Sequence, residues 1–190
     1  MNNIYLESVY SQLLYYKTIG EKAIDQLDED QLCISLNDDT NSIATIVKHL
    51  SGNMLSRWTD FLTTDGEKKW RNRDSEFEGE IISKAELLII WNKGWDCFFD
   101  ALKSVQPEQL SQLIYIRNEG HTITEAINRQ LAHYSYHVGQ IVFYAKLLKK
   151  SDWKSLSIPK SKSEIYNVEK FEKEKSIKNY TVKELKKMNL

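Results

Sequence analysis

The sequence predicts an all-α fold: an up-and-down four-helix bundle with a small hairpin before the last core helix and a charged C-terminal tail. Three observations carry this expectation. Four long segments place apolar residues three and four positions apart, the repeat of one helix face. Proline and glycine, which interrupt helices, are scarce, at two and seven in 190 residues. Two of the four segments also open on a capping box, in which a side chain three residues into the helix bonds back to the residue that caps it. The length suffices for one ordinary domain with a real core.

The first helix is expected from about Asn3 to Leu27, with Ile4, Val9, Leu13, Tyr16, Ile19, Ala23 and Leu27 on its apolar positions. A polar stretch with Asn37, Asp38, Asp39 and Asn41 leads to the second, which starts near Ser42. It carries Ile43, Ile46, Val47, Leu50, Met54, Trp58 and Leu62, and Thr64-Asp65-Gly66 stops it. The third opens on Ser83-Lys-Ala-Glu86 and runs to about Val105, ahead of Pro107. The fourth opens on Thr122-Ile-Thr-Glu125 and runs to about Lys150. Short and moderate links between such helices favour antiparallel neighbours.

Two connections are more than links. Residues 66–80 are polar but contain Trp70 and Phe77, aromatics of a kind expected to be buried, and long loops in compact domains are often functional. Residues 113–123 read as a small hairpin around Arg117-Asn-Glu-Gly120. The bundle is expected over residues 1–168 and the tail over 169–190. From Lys160 onward there are nine lysines and five glutamates, which reads as a solvated, partly helical or disordered segment, with a binding tail as the alternative.

Composition excludes several classes. A net charge of −1 gives no general attraction to nucleic acid or an anionic membrane. No apolar run is long enough to cross a bilayer, and the first residues do not resemble a signal peptide. Cys33 and Cys97 are isolated, so a disulfide framework is not expected and a reducing cytoplasm is the expected setting.

The most informative residues are His133 and His137, one helical turn apart on the fourth helix. Side chains four apart on a helix share a face, so both imidazoles can reach one metal ion. If the second and fourth helices face each other, His49 meets them inside the bundle. Three neutral imidazoles suit Zn, Ni, Co or Fe(II), with Zn and Ni foremost. Three protein ligands leave a coordination position open, as in catalytic sites. Spacing alone is equally compatible with structural histidines on a half-buried face.

Neighbours on the same faces are candidates to orient these ligands or line a pocket. Asn53 and Arg57 follow His49 by successive turns, Gln130 precedes His133, and Gln140 follows His137. Arg129 could bind an anionic group or pair with an acid. Arg71 and Arg73 in the loop could grip carboxylates or phosphates, or form local salt bridges. His121 stands before the fourth helix as a rim residue or a fourth ligand. Glu125 belongs to the capping box. No HExxH or Glu-x-x-His occurs, which argues against the common zinc peptidases and di-iron carboxylate bundles, and no glycine-rich phosphate loop is present.

One histidine in Val47-Lys-His-Leu-Ser-Gly-Asn53, followed much later by His133-Tyr-Ser-Tyr-His137-Val-Gly-Gln140, resembles the DinB superfamily, the YfiT-like metalloenzyme fold. Within it the chain is similar to a branch of uncharacterised bacterial proteins, through Gly52-Asn-Met-Leu-Ser-Arg-Trp58, Asp65-Gly-Glu-Lys-Lys-Trp-Arg-Asn-Arg-Asp74 and Leu156-Ser-Ile-Pro-Lys160. The resemblance covers about residues 1 to 168. It implies a four-helix bundle with His49, His133 and His137 holding a divalent metal, often in a homodimer. It also implies relatives that use low-molecular-weight thiols such as bacillithiol, with Arg57, Arg71, Arg73 or Arg129 available for the thiol's carboxylates. The expected function is a metal-dependent thiol S-transferase or related detoxification enzyme acting on a small-molecule substrate. The alternatives are a metal-dependent hydrolase and a non-catalytic, stress-linked metal-binding protein. Large aromatics such as Tyr10, Tyr15, Trp91, Trp95 and Phe99 are expected mostly in the core, so the homodimer rests on the resemblance.

Overall fold

The computed structural model describes residues 4–78, 83–175, 177 and 180–188. Asn3, the expected start of the first helix, and residues 79–80, the end of the expected loop, lie outside them. The chain is mostly helical.

Helix α1 (Ile4–Asp25) buries Val9, Leu13, Ala23 and Ile24. A short α2 (Glu29–Cys33) follows, opened by a capping box between Asp28 and Gln31 that periodicity did not reveal. Ser42 caps α3 (Ile43–Trp58) by accepting from the Thr45 N–H. The Ser83–Glu86 and Thr122–Glu125 boxes open α4 (Lys84–Ser104) and α5 (Ile123–Lys149). Between these two helices, β1 (Leu113–Ile116) and β2 (Glu119–Thr122) form an antiparallel hairpin with Ile114 opposite His121. Its tight turn places Arg117 and Asn118 at φ 56° and 61°. Two further helices, α6 (Ser163–Phe171) and α7 (Tyr180–Lys187), complete the described chain.

The four long helices enclose one core. The broadest contacts join α3 to α4 and α1 to α5, and contacts of α3 with α5 and of α1 with α4 close the ring. Gly94 permits the α3–α4 approach, since a Cβ there would lie 2.7 Å from Ser51 Cα. The centre is aromatic: Trp91, Trp95, Phe98 and Tyr134 are fully buried, each such side chain contributing about 1.5–3 kcal/mol by leaving water. Tyr134 also ties α5 to α3. Its hydroxyl accepts from Trp58 Nε1 (3.0 Å) and donates to Asn53 Oδ1 (3.3 Å). Tyr15, Trp91, Trp95 and Phe99 are buried and Tyr10 packs on Phe99, so these aromatics serve the core.

Three expectations are corrected. Helix α3 ends at Trp58, before the expected Leu62, because Thr59 turns extended and Asp60 takes a φ of 47°. Leu62 still packs on the core from the turn that follows, which is why apolar spacing ran on past the helix. Trp70 is 60 % exposed and Phe77 36 %; the loop turns charged side chains inward in their place. The lysine-rich segment is partly helical and mostly exposed, as expected, but it is not solvated throughout. In α7, Thr181 and Leu185 are buried, and the Tyr180 hydroxyl lies 3.3 Å from that of Tyr15 on α1. Residue 168, the expected edge of the bundle, falls inside α6.

Candidate metal centre

His49 projects from the middle of α3, and His133 and His137 from successive turns of α5. One ring nitrogen from each lies within 4.8 Å of the others. His49 is buried and the other two are half-buried, so the cluster sits at the edge of the core with a side toward solvent. Among the described residues no cysteine, carboxylate or fourth histidine joins it.

Each ring is held through Nδ1. That of His49 lies 3.0 Å from Glu76 Oε2, that of His133 lies 3.3 Å from Gln130 Oε1, and that of His137 lies 2.7 Å from Gln140 Oε1. Gln140 donates its amide to the Tyr136 hydroxyl at 2.9 Å, which turns its oxygen toward His137. An ionised carboxylate and an amide oxygen only accept, so Nδ1 carries the proton and Nε2 of each neutral ring is a bare lone pair.

The Nε2 atoms of His133 and His137 are 3.1 Å apart. Two lone pairs at that distance repel unless a cation lies between them. A proton is a poor candidate. Burial, followed by the charges of His137, His49 and Arg129, lowers His133 to about 4, and burial likewise lowers His137. A divalent ion fits: imidazole nitrogens about 2.0–2.1 Å from a tetrahedral ion stand roughly 3.3 Å from one another. The three nitrogens could thus hold a divalent ion.

Glu76 is the residue that sequence reasoning missed. It lies in a single 3₁₀ turn (Asp74–Glu76) of the loop after α3. Burial alone would raise its carboxyl, but hydrogen bonds from His49 and Arg71 and the charge of Arg71 outweigh this and lower it. Arg71 donates to both oxygens, Nε to Oε1 at 2.8 Å and Nη2 to Oε2 at 3.0 Å. The available signal was Gly52, a helix-interior glycine three residues after His49, which costs about 1 kcal/mol unless something needs the space.

The remaining candidates separate. Arg57 is buried and bonded to the Gly66 carbonyl and to Glu67, which also meets Arg71 and Arg117. Arg57 and Arg71 are therefore committed to internal acids. Arg73 is exposed and lies over the Phe77 ring, which packs 5.5 Å from His49. Arg129 is exposed and makes no ion pair with an acid among the described residues. Asn53 is turned to Tyr134, away from a role on the histidines. His121 stays in the hairpin, outside the cluster, and Glu125 serves its capping box. Burial raises the thiols of Cys33 and Cys97, leaving them poor nucleophiles.

Fold and site together define a helical protein with a three-histidine candidate metal centre that is open on one side. The chain belongs to the family described as protein of unknown function (DUF1572), whose profile matches residues 1–162. No curated protein and no solved structure matches it. Among the described residues no helix is long and apolar enough to cross a membrane.

Proposed function

We propose that this chain is a divalent-metal protein of the DinB superfamily, an up-and-down four-helix bundle that acts as a metal-dependent thiol S-transferase or related detoxification enzyme. The observation that supports it is the three-histidine cluster on α3 and α5, with each Nδ1 anchored and with no fourth protein ligand among the described residues. A divalent ion there supplies Lewis acidity, lowering the pKa of a small thiol so that it reacts as thiolate near neutral pH. The protein's part is to hold three neutral imidazoles, shield one side with the core, and leave the other open to a small substrate.

Of the four arginines, Arg73 and Arg129 are the ones available to carboxylates of a thiol cofactor, since Arg57 and Arg71 are already paired. The homodimer belongs to the same proposal. The apolar surface it would use is the exposed stripe of Tyr136, Phe143 and Leu147 on α5.

The test is the metal content of protein purified without a histidine tag. About one ion per chain, lost in both His49→Ala and His133→Ala, is expected. Metal-loaded protein should then consume electrophiles only with a thiol such as bacillithiol. Turnover that is indifferent to thiol, or absent across a panel of electrophiles, would refute the transferase.

A further inference from the structure

We infer that Glu76 is the positioning residue of the histidine site: clamped by Arg71 and seated in the space Gly52 leaves on α3, it fixes the His49 tautomer and so sets divalent-cation affinity. The inference rests on the metal reading above and adds to it a residue from outside both ligand helices.

Three features carry it. The first is the chain of contacts. The side chains of Arg71, Glu76 and His49 are only 3 %, 9 % and 11 % exposed, so both partners of the carboxylate are held in a dry environment where such bonds are strong. A carboxylate accepting from Nδ1 fixes the ring and leaves Nε2 as the ligand atom of His49, as carboxylate–histidine pairs do at metal sites.

The second is Gly52. It stands three residues from His49 on α3, and a Cβ there would approach the Glu76 carboxylate carbon at 2.8 Å. The helix is therefore cut away where the carboxylate must sit. Arg71 grips that carboxylate with both of its forked donors, so it cannot simply swing aside.

The third is charge. Arg71 is a buried cation whose closest acid is Glu76, with Glu67 at 3.9 Å on its other side. With the Glu76 charge removed, Arg71 faces the site less compensated and repels an incoming divalent ion. Loss of Glu76 thus weakens cation binding twice, by releasing the imidazole and by unmasking a positive charge.

The experiment measures Zn²⁺ affinity of the full chain by competition with a chromophoric chelator, and the d–d absorption of the Co²⁺-loaded protein. Glu76→Gln removes the charge at constant size. Gly52→Ala displaces the carboxylate while leaving every charged group present. Asp74→Asn is the control, an exposed acid two residues away. Glu76→Gln and Gly52→Ala should each weaken Zn²⁺ binding by about 10–100-fold, keep one ion per chain and shift the Co²⁺ bands, while Asp74→Asn matches wild type. Affinity within about threefold of wild type in both variants overturns the inference, even where the metal-free protein melts lower. Should Glu76→Gln fail to fold, Gly52→Ala decides alone. A wild type that binds neither ion overturns the metal reading and this inference with it, whereas a wild type that binds beside unaffected variants overturns only the inference.

Discussion

Replacing Tyr134 by phenylalanine tests the packing that brings the two ligand helices together. Tyr134 is 0 % exposed and its hydroxyl links Trp58 Nε1 to Asn53 Oδ1, which belong to residues only 3 % and 7 % exposed. Phenylalanine keeps the ring and its edge-on contacts with Trp95 and Phe98, so no large cavity opens. What is lost is a donor and an acceptor at once. A buried polar group left without a partner costs about 1–3 kcal/mol, and two of them bring the expected loss to about 2–6 kcal/mol. For a chain of this size that corresponds to a fall of roughly 4–24 °C in Tm. The assay is urea unfolding of metal-free protein followed by tryptophan fluorescence, with Tyr136→Phe as the control on the exposed face of the same helix. The control should change stability by less than about 0.5 kcal/mol. A Tyr134→Phe loss no larger than that of the control would refute the assignment of this hydroxyl as the tie between α3 and α5.

Two other perturbations probe the frame of the site. Gly94→Ala places a Cβ against the Ser51 backbone and should cost about 1–3 kcal/mol by overpacking the α3–α4 contact, measured by the same unfolding. Asp65 accepts the backbone N–H groups of Glu67, Arg117 and Asn118 at 2.7, 2.9 and 2.8 Å, so Asp65→Asn should lose about 1–2 kcal/mol near neutral pH. Burial pushes the Asp65 carboxyl up, but those backbone bonds outweigh it; burial likewise pushes Glu67 up, and the hydrogen bond and charge of Arg57 outweigh that and lower it. Both fall below their ordinary values of 3.8 and 4.5. A carboxyl lowered by folding contributes stability that is complete above its ordinary value and is lost as pH falls through the lowered one. Wild-type Tm should therefore drop as pH falls below about 4.5, and Asp65→Asn should flatten part of that drop; an unchanged acid limb would contradict the role given to Asp65.

Metal content, cation affinity and these stability changes test separate levels of one structure. The histidines ask whether the donor set binds an ion. Glu76 and Gly52 ask whether the loop tunes it. Tyr134, Gly94 and Asp65 ask what holds the frame.

How far the sequence carried depended on the range of the interactions. The long helices were legible because their signals are local: periodic apolar faces, and capping boxes at Ser83 and Thr122 that close within four residues. The pairing of His133 with His137 was legible for the same reason, since one turn of helix sets their separation. Helix α2 was also local, yet its five residues carry too little periodicity to register beside the Asp28 box. Leu62 misled because a turn residue that packs on the core looks, in sequence, like one more helical position.

The sequence by itself determined which residue types were available and which shared a helix face. The sequence placed His49 beside His133 and His137 only on the condition that their helices face each other; tertiary structure met that condition, paired Arg57 and Arg71 with Glu67 and Glu76, and folded α7 back on α1. The physical reason is that the histidine cluster and the α1–α7 packing join residues far apart in the chain, while the arginine pairings, ten and five residues apart, are set by the path of an irregular loop that no periodicity announces. Glu76 shows this most directly: 27 positions separate it from His49, and no helical or strand periodicity marks it. Its place is set by a buried arginine on one side and, on the other, by the side chain that Gly52 lacks.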